Sequence, residues 1–202
     1  MKILALYSNK GGVGKTAAAV NLSFLAARNG RKTLICDLDP QGSTTYYFRV
    51  KPKLKSGAKG LKKGGKAIDR SIKGTDYENL DLLPGDLSHR NLDVVFDHLK
   101  RSKWRLERVF RPLETDYDQI IIDCPPTINL LSENIFNMAD MILVPLIPTT
   151  LSERTHQQLL SFFADEGYDS NKIKGFLSMV DRRKKLHQEL SDKIRSEFGG
   201  VL

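Results

Sequence analysis

Seven consecutive residues carry the first chemical signal. In Lys10-Gly11-Gly12-Val13-Gly14-Lys15-Thr16, three glycines let backbone N–H groups converge on an anion. An apolar-periodic stretch begins directly behind them, so a helix N-terminus would face the same anion. The ending Gly-Lys-Thr is that of a phosphate-binding loop: Lys15 reaches the β- and γ-phosphates of a nucleotide, and the Thr16 hydroxyl ligates Mg2+. The simple pattern asks for glycine at position 9, where this chain has Asn9. Three carboxylates extend the constellation, Asp37 and Asp39 behind one apolar run and Asp123 behind another. Each fits either a place beside a metal and its phosphates or a strand-end residue capping a nearby turn. The glycine loop favours the first reading.

These residues need elements to position them. Residues 2–7 read as a strand, 15–28 as a helix closed by Asn29-Gly30, and 32–38 as a second strand. Residues 79–83 read as a short strand ended by Pro84-Gly85, followed by one long helix over about 88–110 whose limit is Pro112. Residues 119–123, 141–146 and 173–180 are dominated by apolar runs, as expected of strands buried on both faces. Helices are expected at 152–165 and 184–198. Alternating strands and helices predict an α/β fold, with a mostly parallel central sheet, helices on both faces and right-handed crossovers. Such sheets bind ligands at the carboxyl ends of their strands. Residues 10–16, Asp37, Asp39 and Asp123 all stand at such ends.

Composition narrows the classes. The 202 residues, 40% hydrophobic, suit a single domain over 1–202. No secretion signal follows Lys2 and no apolar run could cross a bilayer, so a cytoplasmic protein without stable membrane insertion is expected. Cys36 and Cys124 lack metal-site spacing and read as buried apolar residues. The net charge of +8 is local: residues 49–73 hold ten Lys and Arg against Asp69, and the remainder sums to −1. Glycine-rich and poor in apolar residues, this stretch reads as a mobile basic loop over about 49–75, either a solubilising surface or a contact for an anionic polymer.

The lysine-first loop resembles the deviant Walker A motif of the ParA/MinD family of dimerising ATPases. The segment from Asp37 to Gly42 (Asp-Leu-Asp-Pro-Gln-Gly) is similar to that family's second aspartate motif, and 120–126 (Ile-Ile-Ile-Asp-Cys-Pro-Pro) to its Walker B strand. Segments 79–85 and 139–145 resemble ParA as well, so the likeness covers nearly the whole chain. It implies a P-loop NTPase fold with ATP and Mg2+ as cofactors, and a nucleotide bound by Lys10, Gly11, Gly12, Val13, Gly14, Lys15, Thr16 and Ala17. Lys10 would cross to the partner's ATP in a homodimer, while Lys15 serves its own subunit. Asp39 would orient the attacking water, and Thr16, Asp37 and Asp123 would form the Mg2+ shell. Ala17 departs from the family's usual Thr or Ser, which implies weaker phosphate binding. Members usually continue several dozen residues beyond a point like Leu202, in a part that helps to hold adenine, so the C-terminal part of the usual domain is expected to be absent.

The same resemblance implies slow, partner-stimulated hydrolysis, a ParB-like adaptor, and non-specific DNA bound by the ATP dimer at nucleoids. Arg182, Arg183, Lys184 and Lys185 are candidate DNA contacts, against the alternative of a solvated charge cluster. Two other readings stay open: a biosynthetic ATPase of the cobyrinic acid a,c-diamide synthase type, and a MinD-like membrane-associated ATPase.

Overall fold

Side chains alternate along every central strand, and the alternation sorts them into two cores. In the computed structural model, which describes residues 1–51, 58–99 and 101–198, β1 (Lys2–Leu6) sends Ile3 and Ala5 to one face and Leu6 to the other. β2 (Thr33–Asp37) does likewise with Leu34 and Cys36 against Ile35. Two more short strands, β3 (Lys73–Gly74) and β4 (Leu80–Leu83), precede β5 (Gln119–Asp123), β6 (Met141–Leu146) and β7 (Ile173–Leu177). Ile120 and Ile122 of β5 oppose Ile121, which explains why that strand is uniformly apolar.

The sheet order is β3-β4-β2-β5-β1-β6-β7, parallel throughout except that β3 runs antiparallel to β4. Register places Asp37 opposite Asp123, and Asp123 opposite Leu6 just ahead of the glycine loop. Helix α1 (Lys15–Arg28) joins α2 (Ser43–Tyr47) on the face built around Leu6, Ile35 and Ile121. The opposite face takes α3 (Ala58–Lys63), α4 (Lys66–Asp69), α5 (Leu92–Asp97), α6 (Arg105–Phe110), α7 (Leu130–Met138), α8 (Thr150–Asp165) and α9 (Lys185–Glu197). The result is the three-layer arrangement expected.

Two expectations need correction. The basic stretch is not simply a mobile loop: from Ala58 to Asp69 it forms α3 and α4, whose Leu61 and Ile68 are fully buried in the larger core. Two apolar side chains at this spacing suffice to dock a lysine-rich segment, because lysines keep their charged heads in water. Residues 52–57 of that expectation lie outside the described residues. The long helix over 88–110 is broken into 3-10 turns (Leu87–Asn91, Ser102–Trp104) and the short helices α5 and α6. Fastening to α7 competes with a straight helix here. Asp93 accepts from Asn129 Nδ2 and Leu131 N, Asn134 accepts from Leu106 N, and Arg101 turns the chain at a left-handed φ of 58°. Helices α2 and α7 and strand β3 were not anticipated.

Candidate nucleotide site

The glycine loop sits between the end of β1 and the start of α1, as its spacing predicts. Gly12 and Gly14 have φ of 71° and 99°, a region L side chains avoid, and a Cβ on Gly14 would also approach Ser178 Oγ to 3.0 Å. Gly14 caps α1 without a side-chain bond, so the first-turn N–H groups of this 14-residue helix face the loop's concavity. Ser178, beyond β7, donates to the Val13 carbonyl at 2.9 Å and straps the loop to the sheet. Lys15 is buried, with Nζ 3.3 Å from the Lys10 carbonyl. Lys10 itself is half-buried, its N–H bonded to Ser8 Oγ.

Beneath the loop, two carboxylates are organised by hydroxyls. Asp123 Oδ2 accepts from Thr16 Oγ1 at 2.8 Å and Thr44 Oγ1 at 2.7 Å. Asp37 Oδ2 accepts from Thr45 N and Oγ1 at 2.8 and 2.7 Å, and Thr45 Oγ1 in turn accepts from Gly85 N. Burial raises both carboxyls, Asp37 to about 6 in spite of its hydrogen bonds. Asp37 Oδ1 is buried without a partner. Asp39 accepts from Gln41 N in the turn before Gly42 and borders a cleft of about 310 Å³ with Pro125 and Pro126.

Lys15, Thr16, Asp37, Asp39 and Asp123 thus converge as expected. Thr44, Thr45 and Ser178 escaped the sequence reading, although two hydroxyls directly behind Gly42 are a usable signal once the aspartates are suspected. Arg182, Arg183 and Lys184 stand in the turn before α9, and Lys185 is its first residue. Arg183 is spent on Asp181 at 3.0 Å and Lys185 pairs with Glu189 at 3.4 Å.

An unpartnered buried carboxylate oxygen, a second raised carboxyl and a loop threonine suit a hard divalent cation sharing its shell with water and phosphate. Among the described residues there is no group of three or more His, Cys, Asp or Glu that could hold a metal ion. Cys36 and Cys124 are free and buried, and no helix among the described residues is long and apolar enough to cross a membrane.

A cradle for phosphates on a parallel sheet, with strand-end aspartates below it, defines a P-loop nucleotide-binding protein. Comparison with known proteins narrows this. The AAA domain family (AAA_31) matches residues 1–173. The chain is 28% identical to the chromosome partitioning protein ParA of Caulobacter vibrioides, over 98% of this chain and 77% of that protein. It is 32% identical to the chromosome-partitioning ATPase Soj of Treponema pallidum, over 98% and 79%. The chain belongs to the ParA/Soj family of P-loop ATPases. Among solved structures, cobyrinic acid a,c-diamide synthase of Mycobacterium smegmatis with ADP and magnesium superposes with a TM-score of 0.88 at 25% identity, covering 98% of this chain and 83% of that one. A plasmid partition protein of Borrelia burgdorferi bound to AMPPNP gives 0.86 at 25% identity, covering 100% and 84%.

Proposed function

We propose that this chain is an ATP-dependent dimerising switch for DNA partitioning or cargo positioning. It holds ATP with Mg2+ between two subunits, binds non-specific DNA as that dimer, and is released when a ParB-like adaptor stimulates hydrolysis. The observation that carries the reading is the Asp123 carboxylate held by a loop threonine directly under a lysine-first phosphate loop. Bound Mg2+ supplies charge neutralisation at the phosphates. Lys15 and the loop N–H groups hold the nucleotide's phosphates, and a cation facing Asp37 and Asp123 would offset the burial that disfavours their ionised forms. Asp39, on the rim of the cleft, orients the attacking water and accepts its proton. Lys10 adds positive charge to the partner's nucleotide as charge develops on the transferred phosphoryl group. Phosphoryl transfer needs little beyond positioning and charge, so a slow basal rate follows from this set.

DNA contact is assigned to Arg182 and Lys184, with Arg183 and Lys185 in support, doubled across the dimer. Asp39→Ala tests the switch: with ATP it should accumulate as a dimer in analytical ultracentrifugation, and with ADP remain a monomer. A variant that no longer binds nucleotide would overturn the role of Asp39. The superposition on the cobyrinic acid enzyme favours a second reading, in which ATP activates a carboxylic acid for amidation. Hydrolysis that depends on an added carboxylic acid and ammonia, and not on dimerisation, would select it.

A further inference from the structure

The region around α6 carries a feature that the nucleotide site does not use. Arg101, Trp104, Glu107, Arg108 and Arg111 line an open groove of about 750 Å³ on the outer surface. Trp104 is the only tryptophan of the chain and is 47% exposed. Arg101, Arg108 and Arg111 are exposed, and no carboxylate among the described residues lies within ion-pair distance of them. Nearby Lys103 is different: Glu133 at 2.6 Å and Glu166 at 3.1 Å neutralise it. The three arginines are therefore without an ion-pair partner, and Glu107 is the acid that lines the groove with them.

The backbone under the indole is fixed. The carbonyls of Ser102 and Lys103 accept from Asn134 and Asn137 of α7 at 2.8 and 2.9 Å, and Trp104 N donates to the Arg101 carbonyl at 3.0 Å. Arg101 is held at a left-handed φ of 58°, a conformation that costs energy in a residue with a side chain. Arg105 donates to the Lys62 carbonyl, which brings exposed Lys62 and Lys63 of α3 alongside. The chain from Arg111 leads into the amino end of β5, at the opposite end of the sheet from the phosphate loop. A second subunit seated over the phosphate loop, as proposed above, would leave this groove free.

A half-exposed indole on a fixed backbone, flanked by unpaired guanidinium groups, matches the chemistry of an unpaired base above a phosphodiester backbone. The base stacks on the ring and the arginines follow the phosphates. Duplex DNA keeps its bases stacked on each other and leaves the indole without a partner. We propose that the α6 groove is a single-stranded nucleic acid site, separate from the duplex contact assigned to the ATP dimer and independent of nucleotide.

The sole tryptophan makes the test direct. The full chain is titrated, without nucleotide at low salt, with oligo(dT), with a duplex of equal length and with polyglutamate, and indole emission is followed. Oligo(dT) should quench it, and its affinity should fall with a log–log salt slope of roughly −2 for three neutralised phosphates. By anisotropy of labelled oligo(dT), Trp104→Ala and Arg108→Glu with Arg111→Glu should each weaken binding at least tenfold, and Trp104→Phe should retain most of it. Circular dichroism checks the fold of each variant. Unchanged emission with oligo(dT), equal quenching by duplex, equal quenching by polyglutamate, or full binding by the charge-reversed variant would each overturn the proposal. ATP-dependent duplex binding by the same variants is read separately, so failure here leaves the switch reading untouched, and the reverse.

Discussion

Asp37 is where the folded chain and its ligand make opposite demands on one side chain. The residue is fully buried, one oxygen is satisfied by Thr45, the other has no partner, and its carboxyl is pushed up to about 6 by burial, with Asp123 and Asp39 adding to the rise. The folded form therefore binds more protons than the unfolded chain between about pH 4 and pH 6. Stability from this group is present at low pH, falls as pH rises through 6, and is flat above. At pH 7 the unliganded protein carries a buried charge costing about 3 kcal/mol. Asp37→Asn should then be more stable than wild type at pH 7.5 without ligand, by about 1–3 kcal/mol, with the difference gone at pH 4. Buried His89, pushed down to about 4, and His156 titrate in the opposite sense, but both proteins share them, so comparing melts at each pH isolates Asp37. Mg2+ with ATP should raise the melting temperature of wild type, and the same variant should lose that rise. Gly85 guards this carboxylate, since a Cβ there would lie 2.9 Å from Asp37 Oδ2 and 3.0 Å from Gly42 Cα. Gly85→Ala should cost about 1–3 kcal/mol in urea unfolding and weaken ATP binding in parallel.

At the scale of elements, the basic stretch separates two pictures of one sequence. If 58–69 were loop, truncating Leu61 would matter little. Docked as α3 and α4 with Leu61 at 0% exposure, Leu61→Ala should cost about 2–4 kcal/mol, measured by denaturant unfolding, while Lys62→Ala costs almost nothing. Docking escaped the sequence reading because only Leu61 and Ile68 mark it, too few to establish a helical period among so many lysines and glycines. The five central parallel strands and α1, α8 and α9 were legible, since a strand buried on both faces admits few alternatives to an unbroken apolar run. The helix over 88–110 was misread for a related reason: its apolar residues do recur with helical spacing, but bonds between Asp93 and the start of α7, and between Asn134 of α7 and Ser102 and Leu106, decide where the backbone turns. Such contacts between distant segments leave no local trace. In the site itself, Lys15 and Thr16 were legible because phosphate chemistry fixes their place behind the glycines, whereas the roles expected of Lys10 and the aspartates rested on the likeness to ParA. Thr44 and Ser178 were not legible, because their partners Asp123 and Val13 lie far away in sequence, and Thr45, only eight residues beyond Asp37, was passed over because a lone hydroxyl carries little signal.

For the molecule as a whole, the decisive question is whether Lys10 acts on its own nucleotide or on a neighbour's. Within one subunit the loop already supplies Lys15, whose ammonium lies against the Lys10 carbonyl, so a second ammonium from the same loop would crowd like charges around one set of phosphates. Between subunits the arithmetic reverses, because two facing polyphosphates repel and each gains from a cation on the other side. Lys10→Ala should bind ATP as a monomer, fail to dimerise alone, and lose turnover by roughly 100-fold or more. Asp39→Ala should dimerise without turning over. Mixed before ATP is added, these two inactive proteins should recover hydrolysis, because the Lys10→Ala subunit keeps an intact Asp39 and receives Lys10 from its Asp39→Ala partner. A lysine serving its own subunit predicts no recovery at any mixing ratio, since every site would then lack either the ammonium or the carboxylate. Phosphate release measured across a series of ratios, with a peak at intermediate mixtures expected, decides between them.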